Sequence, residues 1–113
     1  MAKLPPQPDL AAMQAHAGEA AKLLKALANE RRLQVLCVLA GGERSVGEVN
    51  QMLGLSQSAL SQHLAVLREE GLVDTRREAQ TIHYSLVPGP AAEVMATLYG
   101  IYCGPGARGV SGA

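Results

Sequence analysis

Leu-Ser-Gln-Ser-Ala-Leu-Ser-Gln-His-Leu-Ala-Val-Leu-Arg-Glu-Glu-Gly-Leu-Val (55–73) has the marks of one capped helix with two unlike faces. Ser56 precedes an apolar series with helical spacing, the place of an N-cap, and Gly71 closes that series, so a helix is expected between them. At about 100° per residue Leu60, Leu64 and Leu67 gather on one side, while Ser58, Ser61, Gln62 and Ala65 lie opposite and Gln57 sits on the flank. A solvated helix face is usually filled with Lys and Glu. This one shows hydroxyls, amides and an alanine, with Arg68, Glu69 and Glu70 only at its end. Gln bonds adenine edges bidentately, Ser bonds a base edge or a phosphate, and a small Ala admits close approach to a groove. The competing reading of Ser56-Gln57-Ser58 is capping chemistry alone on an indifferent surface. His63, about 60° from the apolar centre, has two readings as well: a buried-edge histidine bonding the preceding helix or a phosphate, or a base reader.

Upstream, Ser45 and Glu48 have the spacing of a capping box, followed by Val46, Val49, Met52 and Leu53 and a stop at Gly54. Two helices broken by a few residues containing glycine form a helix-turn-helix. Further back, Asn29 caps a helix that ends at Gly41-Gly42, and Leu33, Leu36, Cys37 and Ala40 make an apolar stripe along it. A first helix is expected from Asp9 or Leu10 to Leu27, with Leu24 and Leu27 on one side and Gly18 weakening its middle. Downstream the period changes to two. Ile82, Tyr84 and Leu86 share a face of one strand, and Leu72–Arg77 pairs with it across a turn near Glu78-Ala79-Gln80. Arg76 and Arg77 stand just before that turn, placed to meet a phosphate or enter the minor groove; ordinary solvation of a hairpin tip is the alternative. After Pro88 a last helix runs from Pro90 to about Cys103.

The order helix, helix, helix-turn-helix, hairpin, helix is a mainly α winged helix-turn-helix with an added helix at each end. One domain over residues 9–103 is expected, with residues 1–8, rich in proline, as a flexible arm and the glycine-rich 104–113 as a disordered tail. The last helix is apolar almost all round, so a partner chain is expected to cover it, and a dimer reads two half-sites in double-stranded DNA, so an inverted repeat is expected.

Ten Lys plus Arg balance ten Asp plus Glu, which excludes a polycationic tail. DNA affinity should therefore rest on a few placed contacts doubled by the dimer, with a shallow salt dependence. No apolar run approaches membrane length, and Met1–Leu10 has no apolar stretch of signal type, so the cytoplasm is the expected compartment. No nucleophile, base and orienter converge, so the chain is not expected to be an enzyme. The two cysteines are thiols or a redox pair rather than a structural staple. For Cys37 alone the plain reading is a small core hydrophobe.

The run Ser-Val-Gly-Glu-Val (45–49), the stretch 55–73, the run 27–36 and the hairpin 76–86 together strongly resemble the ArsR/SmtB family of dimeric winged-helix repressors, over roughly residues 15–103. The family's third-helix metal site has cysteines where this chain has Ser45 and Gly47. Its last-helix zinc site needs Asp and His, and residues 90–103 contain neither, so neither metal pattern is present and no cofactor is expected. Cys37 and Cys103, 66 positions apart, instead resemble the dithiol subgroup that senses reactive sulfur species, of SqrR, BigR and HlyU type. The resemblance implies that a polysulfide or disulfide link between them, formed with reactive sulfur species or oxidants as inducer, lowers operator affinity. Such a link would close a loop of about 67 residues, worth about 4 kcal/mol in the chain-entropy model before strain. Two other outputs stay open: a HlyU-like activator of virulence genes that displaces a nucleoid silencer, and a winged-helix protein-interaction module without DNA binding.

Overall fold

The computed structural model describes residues 4–104, which form α1 (Leu10–Leu27), α2 (Glu30–Ala40), β1 (Arg44–Ser45), α3 (Val46–Leu53), α4 (Gln57–Glu69), β2 (Val73–Glu78), β3 (Thr81–Leu86) and α5 (Pro90–Tyr102). This is the winged helix-turn-helix expected from the pattern, with α1 and α5 as the added helices. Residues 4–8 of the expected arm are exposed and lie outside any helix or strand; residues 1–3 and the tail from 105 on lie outside the described residues.

Side chains that satisfy the free backbone groups of each first turn fix where the helices begin. Asp9 Oδ1 accepts from Ala12 N–H at 3.0 Å, Asn29 Oδ1 accepts from both Arg31 and Arg32 N–H at 3.0 Å, and Ser56 Oγ accepts from Ala59 N–H at 3.1 Å. Ser45 and Glu48 close the expected capping box reciprocally, at 3.1 and 2.8 Å. Gly54 ends α3 in the left-handed region (φ 68°), which lets the chain turn directly into α4. One cap was not visible in the sequence. Arg32 donates back through Nε to Ala26 C=O at 2.7 Å and through Nη2 to Lys25 C=O at 3.3 Å, closing the end of α1 from the first turn of α2.

The core is one cluster: Leu27 from α1, Val35, Leu36 and Leu39 from α2, Val49 from α3, Leu60, Leu64 and Leu67 from α4, Val73 from β2 and Met95 from α5. The apolar side of α4 is thus the one expected. On α2 the expected stripe is wrong by a rotation. Val35, Leu36 and Leu39 are buried, whereas Cys37 and Ala40 are exposed. Both stripes have helical spacing, and α2 is apolar enough on two flanks that only the packing of α3 and α4 decides which flank goes inside.

The hairpin is shifted by one residue from the expected one: β2 reaches Glu78, which pairs with Thr81, so the turn is the two residues Ala79-Gln80. A third strand, absent from the sequence reading, adds to it. β1 pairs antiparallel with β3 (Arg44↔Tyr84, Ser45↔His83), giving the sheet order β1-β3-β2. Two residues carry no periodicity, which is why β1 escaped notice.

Only Ala26 and Leu27 of α1 are buried. Leu10, Met13, Ala17, Ala20 and Leu24 recur at alternating three- and four-residue steps and are all exposed, Leu24 at 57%. On α5, Tyr99 and Tyr102 are likewise exposed, at 55% and 48%. No helix among the described residues is long and apolar enough to cross a membrane.

Candidate nucleic-acid interface and cysteine pair

The side of α4 opposite the core is open. Gln57, Ser58, Ser61 and Gln62 are exposed, His63 is half-buried at the helix edge, and no side-chain hydrogen bond occupies Gln57, Ser61 or Gln62 among the described residues. Ser56 differs from them: its hydroxyl is engaged as the N-cap of α4 and lies 3.5 Å from Ser58 Oγ. The amides and hydroxyls of the next two turns therefore face outward with their bonding capacity unspent, the condition for reading base edges. A cleft of about 430 Å³ separates this helix from the sheet, lined by Ser61, Ala65 and Arg68 of α4 and by Tyr84 of β3.

Strand parity separates the two wing arginines, which sequence reading treats alike. Thr75 pairs with Tyr84 and Arg77 with Ile82, so Arg77 stands on the face turned toward α4, two pairs nearer the tip than Tyr84. Arg77 is exposed and has no ion pair among the described residues. Arg76 pairs with His83 and stands on the opposite face. There its Nε donates to Glu43 Oε2 at 3.1 Å and its Nη2 to Glu43 Oε1 at 2.8 Å, a two-pronged charge-assisted contact. Glu78 lies 3.8 Å from Arg76 Nη1 and 3.4 Å from His83 Nε2. The hydrogen bond from Arg76 holds the Glu43 carboxyl below the ordinary glutamate range, and the same bond raises the guanidinium of Arg76. Sequence reasoning missed Glu43, although the parity rule alone already forbids two neighbouring strand residues from serving one face.

Both cysteines are free thiols and both are exposed. Cys37 is therefore not the core residue that its plain reading made it. With Ala40 and Gly41 it forms the α2 wall of an apolar groove of about 660 Å³, whose α5 wall includes Ala92, Met95 and Tyr99. Cys103 caps α5, donating its backbone N–H to Tyr99 C=O at 2.7 Å, and so stands one helical turn beyond a residue of that wall. Among the described residues no three His, Cys, Asp or Glu side chains gather as a metal site.

Residues 29–75, from the cap of α2 into β2, match the family model described as bacterial regulatory protein, arsR family. The transcriptional activator HlyU of Vibrio cholerae is 53% identical over 95 residues, which span 84% of this chain and 88% of that one. The biofilm growth-associated repressor of Agrobacterium fabrum is 52% identical over 96 residues, 85% and 82% of the two chains. Among solved structures, the transcriptional repressor BigR of Xylella fastidiosa superposes with a TM-score of 0.79 at 45% identity, covering 84% of this chain and 97% of that one. HlyU of Vibrio cholerae, solved in a form described as reduced, gives a TM-score of 0.77 at 54% identity over 80% and 96% of the chains. A homodimeric winged helix-turn-helix DNA-binding domain of Mycobacterium bovis gives 0.67 at 36% identity, over 84% and 86%. With a helix-turn-helix and a wing in place and about half of its aligned residues identical to those of such regulators, this chain belongs to the ArsR family of bacterial transcriptional regulators, and within it to the HlyU- and BigR-like members.

Proposed function

We propose that the chain acts as a homodimeric repressor whose hold on an inverted-repeat operator is released when Cys37 and Cys103 become linked by a disulfide or polysulfide. Gln57, Ser58, Ser61, Gln62 and His63 of α4 read or position the major groove in this proposal, Ser56 fixes the start of that helix, and the wing adds a phosphate contact. The observation that carries the switch is the exposure of Cys37 on the groove facing α5, the helix that ends at Cys103. A buried thiol would be inert; an exposed one at the mouth of an apolar groove is open to a sulfur donor. A persulfide on one cysteine, attacked by the thiolate of the other, gives a disulfide and releases hydrogen sulfide. Two persulfides condense to a trisulfide with the same loss, and the longer bridge spans thiols too far apart for a direct bond.

Dimerisation is supported by the exposed apolar stripe of α1 and the exposed tyrosines of α5, and by the homodimeric relative. The link would join a dimer helix to the helix that backs the reading head, and so alter the spacing of the two heads.

The test is a gel shift on the chain's own promoter region before and after treatment with a persulfide donor, with mass spectrometry of the product. Release of DNA together with a Cys37–Cys103 product carrying zero or more extra sulfurs is expected. Cys37→Ser and Cys103→Ser should each keep the DNA bound under the same treatment; release from either variant sinks the switch. A second reading, activation by displacing a nucleoid silencer, is favoured by the 53% identity to a relative described as an activator. Reporter transcription with and without the protein separates the two outputs.

A further inference from the structure

On the face of the sheet turned away from α4, one contact runs from edge strand to edge strand. Ser45 of β1, His83 of β3 and Arg76 of β2 stand in one row, and Glu43, two residues before Ser45, shares their face. The Arg76 side chain crosses β3 and closes on Glu43 with the two bonds of 3.1 and 2.8 Å. Glu43 immediately precedes β1, and β1 runs without a break into α3, the first helix of the helix-turn-helix. The contact therefore ties the wing strand β2 to the root of the DNA-reading unit, across the strand between them.

We propose that Glu43 is a positioning residue for the wing: by holding Arg76 it fixes the angle of the β2–β3 hairpin against α3 and α4, and it withholds Arg76 from DNA, leaving Arg77 as the wing's phosphate contact. Two observations meet in this assignment. Arg76 and Arg77 lie on opposite faces, and only the face of Arg77 is shared with Tyr84, which lines the cleft beside the reading helix. The guanidinium of Arg76 already has both prongs of its fork on a carboxylate, with Glu78 also within 3.8 Å, whereas Arg77 has no such partner among the described residues. Moving Arg76 to a phosphate would break two charge-assisted bonds and leave the Glu43 carboxylate uncompensated beside a polyanion. An exposed ion pair is weak as a source of fold stability, so the consequence to look for is in DNA binding rather than in unfolding. The wing reading rests on DNA binding by this chain, and loss of binding by every form, wild type included, would overturn that reading instead.

Counterion release supplies the measurement. The logarithm of the binding constant falls with the logarithm of salt concentration by about 0.9 for each phosphate neutralised. Binding of the full chain to a mixed-sequence duplex of about 30 base pairs, long enough for two half-sites, is to be followed by fluorescence anisotropy across a salt series. Arg77→Gln should flatten the slope by about 0.9 per chain, and Arg76→Gln should leave it within half that amount of wild type. Glu43→Gln, which frees Arg76, should steepen it by about 0.9 per chain, while Glu30→Gln, the same charge change on α2, should not. The proposal is overturned if Arg76→Gln flattens the slope as much as Arg77→Gln. It is equally overturned if Glu43→Gln leaves the slope unchanged, or if Glu30→Gln steepens it to the same degree. All four side chains are exposed, and a melting curve for each variant, expected to match wild type closely, shows that the folded chain is what is being compared.

Discussion

Ala79 is the one non-glycine residue among those described with a clearly positive φ, 55°, at the first position of the two-residue wing turn. That conformation suits the right-handed twist of a hairpin but puts an alanine Cβ against its carbonyl, at a cost of about 1–2 kcal/mol. Glycine removes that strain and gives back part of the gain as unfolded-state entropy. Ala79→Gly is thus expected to raise stability by about 0.5–1 kcal/mol in urea denaturation, and an unchanged midpoint would show that the turn is not strained. Cys37 gives a different lesson at this scale. Its helical spacing suited a core position, yet its neighbours Val35, Leu36 and Leu39 take the interior and leave the thiol on the surface. The proposed chemistry needs this exposure, because a thiol sealed in the core cannot meet a donor.

Among the elements, the caps do most to set boundaries, and α3 shows how a local device carries a pH signature. The Glu48 carboxylate accepts from Ser45 N–H at 2.8 Å, and this backbone bond, followed by the bond with the Ser45 side chain, holds its carboxyl below the ordinary range. A carboxyl whose pKa is lower folded than unfolded stabilises the fold above its unfolded pKa, and the contribution fades as pH falls through the folded value. Glu48→Gln keeps an acceptor but no charge, so it is expected to be less stable than wild type near neutrality. The gap should close on acidification past the glutamate range, and thermal melts over a pH series check it. A gap that stays constant with pH would mean that the charge contributes nothing. At the same scale the sheet differs from a bare hairpin only by β1, two residues long. Those two residues lead directly into α3, so the wing and the helix-turn-helix share one hydrogen-bonded sheet.

For the molecule as a whole, the exposed apolar residues of α1 and α5 concern its assembly. Leu10, Met13 and Leu24 on one helix and Tyr99 and Tyr102 on the other are large side chains left exposed, the kind of surface that marks an interaction site when it is contiguous. The proposed dimer covers it and doubles a weakly charged DNA contact. A chain with ten basic and ten acidic residues gains little from unspecific attraction, and much from having two heads on one duplex. Leu24→Lys with Tyr99→Lys is expected to give folded monomers in sedimentation velocity and to weaken operator binding by about a hundredfold or more. A variant that stays dimeric would place the interface elsewhere.

The order of the helices, the caps at Asn29, Ser45 and Ser56 and the core side of α4 were legible in the sequence because each follows from local rules: a capping side chain, a glycine stop, a 3.6-residue apolar period. The outward set on α4 was legible for the same reason, since choosing the core side fixes the opposite one. The rest depended on contacts between segments distant in sequence. Which flank of α2 turns inward is set by α3 and α4. β1 exists only because β3 offers it an edge, and Arg76 is engaged because Glu43, 33 residues earlier, is brought across the sheet to meet it. Periodicity records how a segment presents itself, but not which neighbour will cover it. For this chain the outward set of α4 was therefore fixed locally, while the exposure of Cys37 and the engagement of Arg76, but not Arg77, by Glu43 were decided by packing and strand pairing.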